Sequence, residues 1–172
     1  MLKLIGAILI MLAATLFGFI QAGQFARRPR QIRQLVSALQ RLETEMAYGH
    51  TPLPEALRRI AGQLEAQLAA MFVAAAEPLE SATGKTAGES WRDAVSTIGK
   101  QTALSANDRD ILSQLSYTLG ISDREDQSKH LRLAVSLLQA EEQAAWDDQR
   151  RYEKMWKSLG VLGGAFIVIL MY

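Results

Sequence analysis

The placement of charge restricts this chain more than any other feature. Residues 4–26 carry no charge, residues 158–172 carry none, and the stretch between them is densely charged. As a helix the first run would extend about 34 Å, enough for a hydrocarbon core about 30 Å thick. The second would reach about 22 Å, or about 27 Å if it begins at Met155 and Lys157 snorkels. Trp156 and Tyr172 would then lie at the two interfaces, where amphipathic rings are favoured. The expectation is an N-terminal transmembrane helix in residues 1–26, a domain in 27–157 and a C-terminal transmembrane segment in 158–172.

Two plainer readings compete. The first run would also suit a cleavable signal peptide cut after Ala22, but only Lys3 precedes it and four arginines follow it, which resists translocation. The last run would also suit a helix buried in a soluble core, but from Phe166 to Met171 it is apolar on every face.

Basic residues border both runs on the inner side: Arg27, Arg28, Arg30 and Arg33 after the first, Arg150, Arg151, Lys154 and Lys157 before the last. These are candidate juxtamembrane anchors to lipid headgroups. The positive-inside rule then puts the domain in the cytoplasm and both termini outside. From residue 41 to 149, ten basic residues face seventeen acidic ones, a net of −7. A nucleic-acid binder would gather its basic residues on the folded domain, so none is expected as a partner. Small residues also align within the two runs. Ala14, Gly18 and Ala22 share one face of the first, and Gly160 and Gly164 form G-x-x-x-G in the second, so the two membrane helices are expected to pack there.

The middle is expected to be all-α, an antiparallel bundle of about six helices whose first and last continue into the membrane segments. Ile32, Leu35, Val36, Leu39, Leu42 and Met46 recur at helical spacing, with Pro29 near the start. Gly49 to Pro52 ends this helix, and a second begins near Pro54 with Leu57, Ile60, Ala61 and Leu64. A third carries Leu68, Met71, Phe72, Ala75 and Leu79, limited by Pro78. Residues 81–88 read as a loop. Trp91, Val95 and Ile98 mark a fourth helix. Ser105 with Asp108 caps a fifth bearing Ile111, Leu112, Leu115 and Leu119, closed by Gly120. Ser122 with Glu125 forms a capping box for the last helix. There Leu131, Val135, Leu138 and Ala145 continue one stripe toward Tyr152, Trp156 and Leu159, in a coiled-coil-like seam against the first helix. No proline or glycine interrupts residues 123–159.

Chemistry is scarce. With no cysteine in the chain, disulfides, thiolate metal sites and thiol catalysis are excluded. Gly84-Lys85-Thr86 has the ending of a phosphate-binding loop, but position 79, where the motif needs glycine, is Leu79. His50 and His130 are the only histidines and have no metal-binding spacing. Glu43 with Glu45, and Glu141 with Glu142, do not share a helix face as a catalytic dyad would, and read as solvated charges. No enzyme activity, cofactor or small-molecule substrate is expected.

Three stretches carry a resemblance: ETEMAYGHTPLPEAL from Glu43 to Leu57 with Ile60 and Ala61; LGISD from Leu119 to Asp123 with Gln127 and Lys129 to Leu131; and YEKMW from Tyr152 to Trp156 with Leu159, Gly160 and Gly163. Together they resemble the stage III sporulation protein AB family over essentially the whole chain. That family resembles in turn the cytoplasmic six-helix domain of inner-membrane platform proteins of type II secretion and type IV pili. The resemblance implies a non-enzymatic component of the channel apparatus joining mother cell to forespore, in the mother-cell membrane. Its expected partners are a cytoplasmic secretion-type ATPase of the same operon, the other membrane and ring proteins of the complex, and membrane lipid. The turn Gly49, His50, Thr51, Pro52, Leu53 and Pro54 and the loop 81–88 are the candidate contacts with that motor. The competing function is a membrane-anchored signalling adaptor. It lacks an external region large enough to bind a signal.

Overall fold

The computed structural model describes residues 26–48, 51–81, 84–120 and 123–171. Among them are six α-helices and no strand: α1 (Arg27–Tyr48), α2 (Leu53–Ala61), α3 (Ala66–Glu80), α4 (Ala87–Thr97), α5 (Ala106–Gln114) and α6 (Arg124–Met171). Single 3-10 turns follow α4 and α5, at Gly99–Gln101 and Leu115–Tyr117. The backbone divides into two compact units, Arg30–Glu142 and Met1–Pro29 with Gln143–Tyr172.

In the Arg30–Glu142 unit most of each predicted stripe is buried. Ile32, Leu35, Leu39 and Leu42 of α1 are fully buried, as are Leu68, Met71 and Phe72 of α3. Burial of one such side chain contributes about 1.5–3 kcal/mol. Met46, Leu64, Leu79 and Ile98, expected in the core, are half-buried. Leu64 has already left α2, and Leu79 lies in the last turn of α3. The α3 helix also runs two residues past Pro78, which costs it one hydrogen bond near the end rather than terminating it.

Trp91 is the centre of this core. It is 1% exposed, meets Phe72 edge-on with ring centroids 5.3 Å apart, and donates from Nε1 to the Leu112 carbonyl at 2.7 Å. One side chain thus ties α4 to both α3 and α5, with its polar atom satisfied.

Two caps differ from the sequence reading. The loop after α3 is shorter than 81–88. Thr86 opens α4 with a full capping box, its Oγ1 accepting from the Glu89 amide while Glu89 accepts from the Thr86 amide. Gly88 lies inside that first turn, where an added Cβ would meet the Ser116 carbonyl oxygen at 2.1 Å. At α6 the residue before the first helical one is Asp123, and its Oδ1 accepts from the Asp126 amide at 2.8 Å. The cap assigned to Ser122 therefore belongs to Asp123; Ser122 itself lies outside the described residues. Ser105 caps α5 with Asp108 as expected, and Gly120, at φ +79°, closes the segment that follows α5.

The other unit contains the part of α6 from Gln143 to Met171. Its described side chains include Ala145, buried, and Leu162, 67% exposed. Among the described residues no helix is long and apolar enough to cross a membrane. The first expected segment, 1–26, lies outside the described residues up to residue 25, and so do most side chains of 158–172.

Candidate functional site

No group of three or more metal-capable side chains occurs among the described residues, and what the domain offers is surface. One part of that surface lies on α1. Arg30, Arg33, Ser37 and Arg41 fall at intervals of three and four, so they line one face. Beside them Gln34 and Ala38 of α1 meet Ile60, Gln63 and Leu64 at the end of α2, enclosing a groove of about 380 Å³. The floor is apolar and the rim is cationic. Arg33 Nε donates to Glu142 Oε1 at 2.8 Å, whereas Arg30 and Arg41 are exposed and form no ion pair among the described residues.

The wall opposite α1 is held in place from beneath. Gln31, 1% exposed, donates through Nε2 to Glu65 Oε1 and, at 3.0 Å, to Gln67 Oε1, and accepts the Ala103 amide at 2.7 Å. Gln34 accepts the Glu65 amide at 3.0 Å. Two glutamines of α1 thereby fix the α2–α3 turn and the segment after α4 against the helix that bears the arginines.

The paired glutamates do more than the sequence reading allowed. Glu43 accepts from Ser128 Oγ at 2.7 Å and Arg132 Nε at 2.5 Å, and Glu142 takes Arg33, so these two join α1 to α6. Glu45 takes Arg59 of α2, and Glu141 takes Asn107 of α5. Each side chain of a pair reaches a different helix. That agrees with the lack of a dyad and corrects their description as solvated charges. Burial pushes the Glu43 carboxyl up, but the bonds from Ser128 and Arg132 and the Arg132 charge outweigh it, so the net shift is downward. On the surface, the Arg58 fork grips Glu80 at 2.6 Å through both nitrogens and holds its carboxyl below the ordinary range.

Of the candidate motor contacts, Gly49 and His50 lie outside the described residues, Pro52 is exposed, and Thr51, Leu53 and Pro54 are half-buried. In the 81–88 loop, Lys85 Nζ is bound to Asp93 Oδ2 at 2.6 Å and Thr86 is committed to its cap. The helix α3, not a strand, precedes Gly84-Lys85-Thr86, so the setting of a phosphate-binding loop is missing as well as its first glycine. His130 lies exposed on α6, beside the half-exposed Leu133 and the 39% exposed Leu137.

Of the basic anchors, Arg27, Arg150 and Arg151 are exposed and Arg28 is half-buried, while the side chains of Lys154 and Lys157 lie outside the described residues. So do the packing positions Ala14, Gly18 and Ala22 entirely; Gly160 and Gly164 lie within the α6 backbone. The sequence reading passed over Arg41. The signal was available: it continues the helical face of Arg30 and Arg33, but it lies beyond the basic cluster that drew attention to the membrane.

Comparison with known proteins agrees with the resemblance. The family model for stage III sporulation protein AB matches residues 3–172. The stage III sporulation protein AB of Bacillus subtilis (strain 168) is 43% identical over 173 aligned positions, covering 99% of each chain. A solved structure of a stage III sporulation protein AB (SpoIIIAB) superposes with a TM-score of 0.69 at 39% identity, covering 73% of this chain and 98% of that one. On this agreement of sequence and fold, the chain belongs to the stage III sporulation protein AB family.

Proposed function

We propose that this chain is a non-enzymatic membrane adaptor of the sporulation apparatus. It holds a helical domain at the cytoplasmic face of the mother-cell membrane and couples a secretion-type ATPase to the membrane assembly there. One observation carries the reading most. The α6 helix, 48 residues long, passes without a break from the domain core into the charge-free end of the chain. A helix continuous between the two is what an adaptor would use to link them. The 67% exposure of Leu162 is costly in water and favourable in lipid. In this reading residues 1–26 and 158–172 both insert, Ala14, Gly18 and Ala22 pack near Gly160 and Gly164, and Arg27, Arg28, Arg150, Arg151, Lys154 and Lys157 rest among anionic headgroups. Each such contact contributes about 1 kcal/mol.

The test is binding of the full chain, in detergent, to the purified ATPase of the same organism at low and high salt. The adaptor reading expects a complex at both, with faster association at low salt because the domain's acidic excess draws a basic partner surface. Absence of a complex with correctly folded, helical protein would contradict it.

A further inference from the structure

We propose that the arginine-rimmed groove between α1 and the end of α2 is a docking site for an acidic amphipathic helix of a protein partner, a proposal that rests on the adaptor reading and names the chemistry of one contact. The charge pattern selects the occupant. Arg30, Arg33 and Arg41 lie along about 16 Å of α1, the length of three helical turns. Three guanidiniums and no lysine line the groove, and guanidinium forks match carboxylates with two parallel bonds, which ammonium groups cannot do. At the rim a single bond of this chemistry is already made, from Arg33 Nε to Glu142 Oε1 at 2.8 Å. Arg30 and Arg41 remain exposed on either side of it without an ion pair among the described residues.

The groove also has shape and an apolar floor. Leu64 is half-buried there, next to Ile60 and Ala38. A helix with acidic residues at spacings of three, four and seven and apolar residues between them would satisfy rim and floor together. A headgroup layer would satisfy only the rim. The local charge is opposite to the acidic excess of the domain around it. An acidic partner would therefore approach without long-range help, and its selection would depend on the short-range forks.

The probe is a designed, fluorescently labelled peptide of about 14 residues, roughly four turns, with glutamates at those spacings and leucines on the adjoining face. It is titrated onto the full chain in phosphatidylcholine nanodiscs at physiological salt. Saturable binding is expected. The R30E/R41E variant should weaken it by more than about tenfold, R30K/R41K should weaken it less, and a peptide with lysines in place of the glutamates should prefer R30E/R41E. Circular dichroism confirms folding, which exposed positions should not disturb. Unchanged affinity in R30E/R41E would overturn the proposal. So would displacement of the bound peptide by soluble short-chain phosphatidylglycerol, below its micelle concentration and at constant ionic strength, because headgroups would then be the occupant. A chain that binds the ATPase but not the peptide sinks the groove and leaves the adaptor; one that binds the peptide but not the ATPase does the reverse.

Discussion

Glu43 of α1 and Arg132 of α6 are joined through Oε1 and Nε at 2.5 Å, and ten residues further along α6, and ten back along α1, Glu142 meets Arg33 at 2.8 Å. Equal spacing on both helices is the signature of an antiparallel pair held in one register. Arg132 is 72% exposed and Glu43 17%, so solvent screens the pair and its direct coupling is expected below about 1 kcal/mol. A double-mutant cycle of E43A and R132A, read by urea unfolding, should return that value, with E43A alone costing about 1 kcal/mol because Ser128 loses its acceptor as well.

The same carboxylate gives a pH prediction. The folded form holds Glu43 below its ordinary value near 4.5, so the unfolded state binds the proton more readily. Its contribution is fully present above the unfolded value and is lost as pH falls through the folded one. Stability measured from pH 7 downward should fall less steeply in E43Q than in the parent. Equal slopes would show that Glu43 is not a source of the acid sensitivity.

Gly88 and Gly84 should respond to alanine in different ways. At Gly88 a Cβ would lie 2.1 Å from the Ser116 carbonyl oxygen, so α4 must separate from the 3-10 turn after α5. G88A is expected to cost at least about 1–3 kcal/mol in thermal unfolding. At Gly84 nothing lies within 4 Å and only the φ of +76° resists, so G84A should cost about 1 kcal/mol. Similar losses at both would mean that the close approach at Gly88 relaxes freely.

Gln31 should be among the most sensitive polar positions. Q31L keeps much of the volume but leaves the half-buried Ala103 amide without its acceptor, while the exposed Glu65 and Gln67 turn to water. A loss of about 1–3 kcal/mol is expected from the unsatisfied amide alone, measured by chemical denaturation.

Which of these features could be read from the sequence follows from their range. The stripes of α1 and α5, and that of α6 from Leu131 to Ala145, were legible because a helix repeats its pattern locally, and Ile32 to Leu42 declares its own buried face. Gln31 was not legible, since its partner Ala103 is 72 residues away and a lone glutamine on a helix carries no sign of burial. Glu43 and Glu142 likewise reveal themselves only once α1 and α6 lie side by side. Thr86 with Glu89 was legible as T-x-x-E but was masked by the glycines around it. Arg30 and Arg33 were visible, and helical spacing puts Arg41 on their face, yet proximity to an apolar run assigned the first two to lipid; only the fold places Ile60 and Leu64 beside them.

The proposed adaptor keeps its helical domain on the cytoplasmic side with both ends of the chain in the membrane. The chain has no cysteine, so single cysteines report position without background. S81C lies at an exposed site at the end of α3, and a second cysteine is appended after residue 172. An impermeant maleimide applied to intact protoplasts should label the appended cysteine and should reach S81C only after lysis. Labelling of S81C in intact protoplasts would instead place the helical domain outside the cytoplasm.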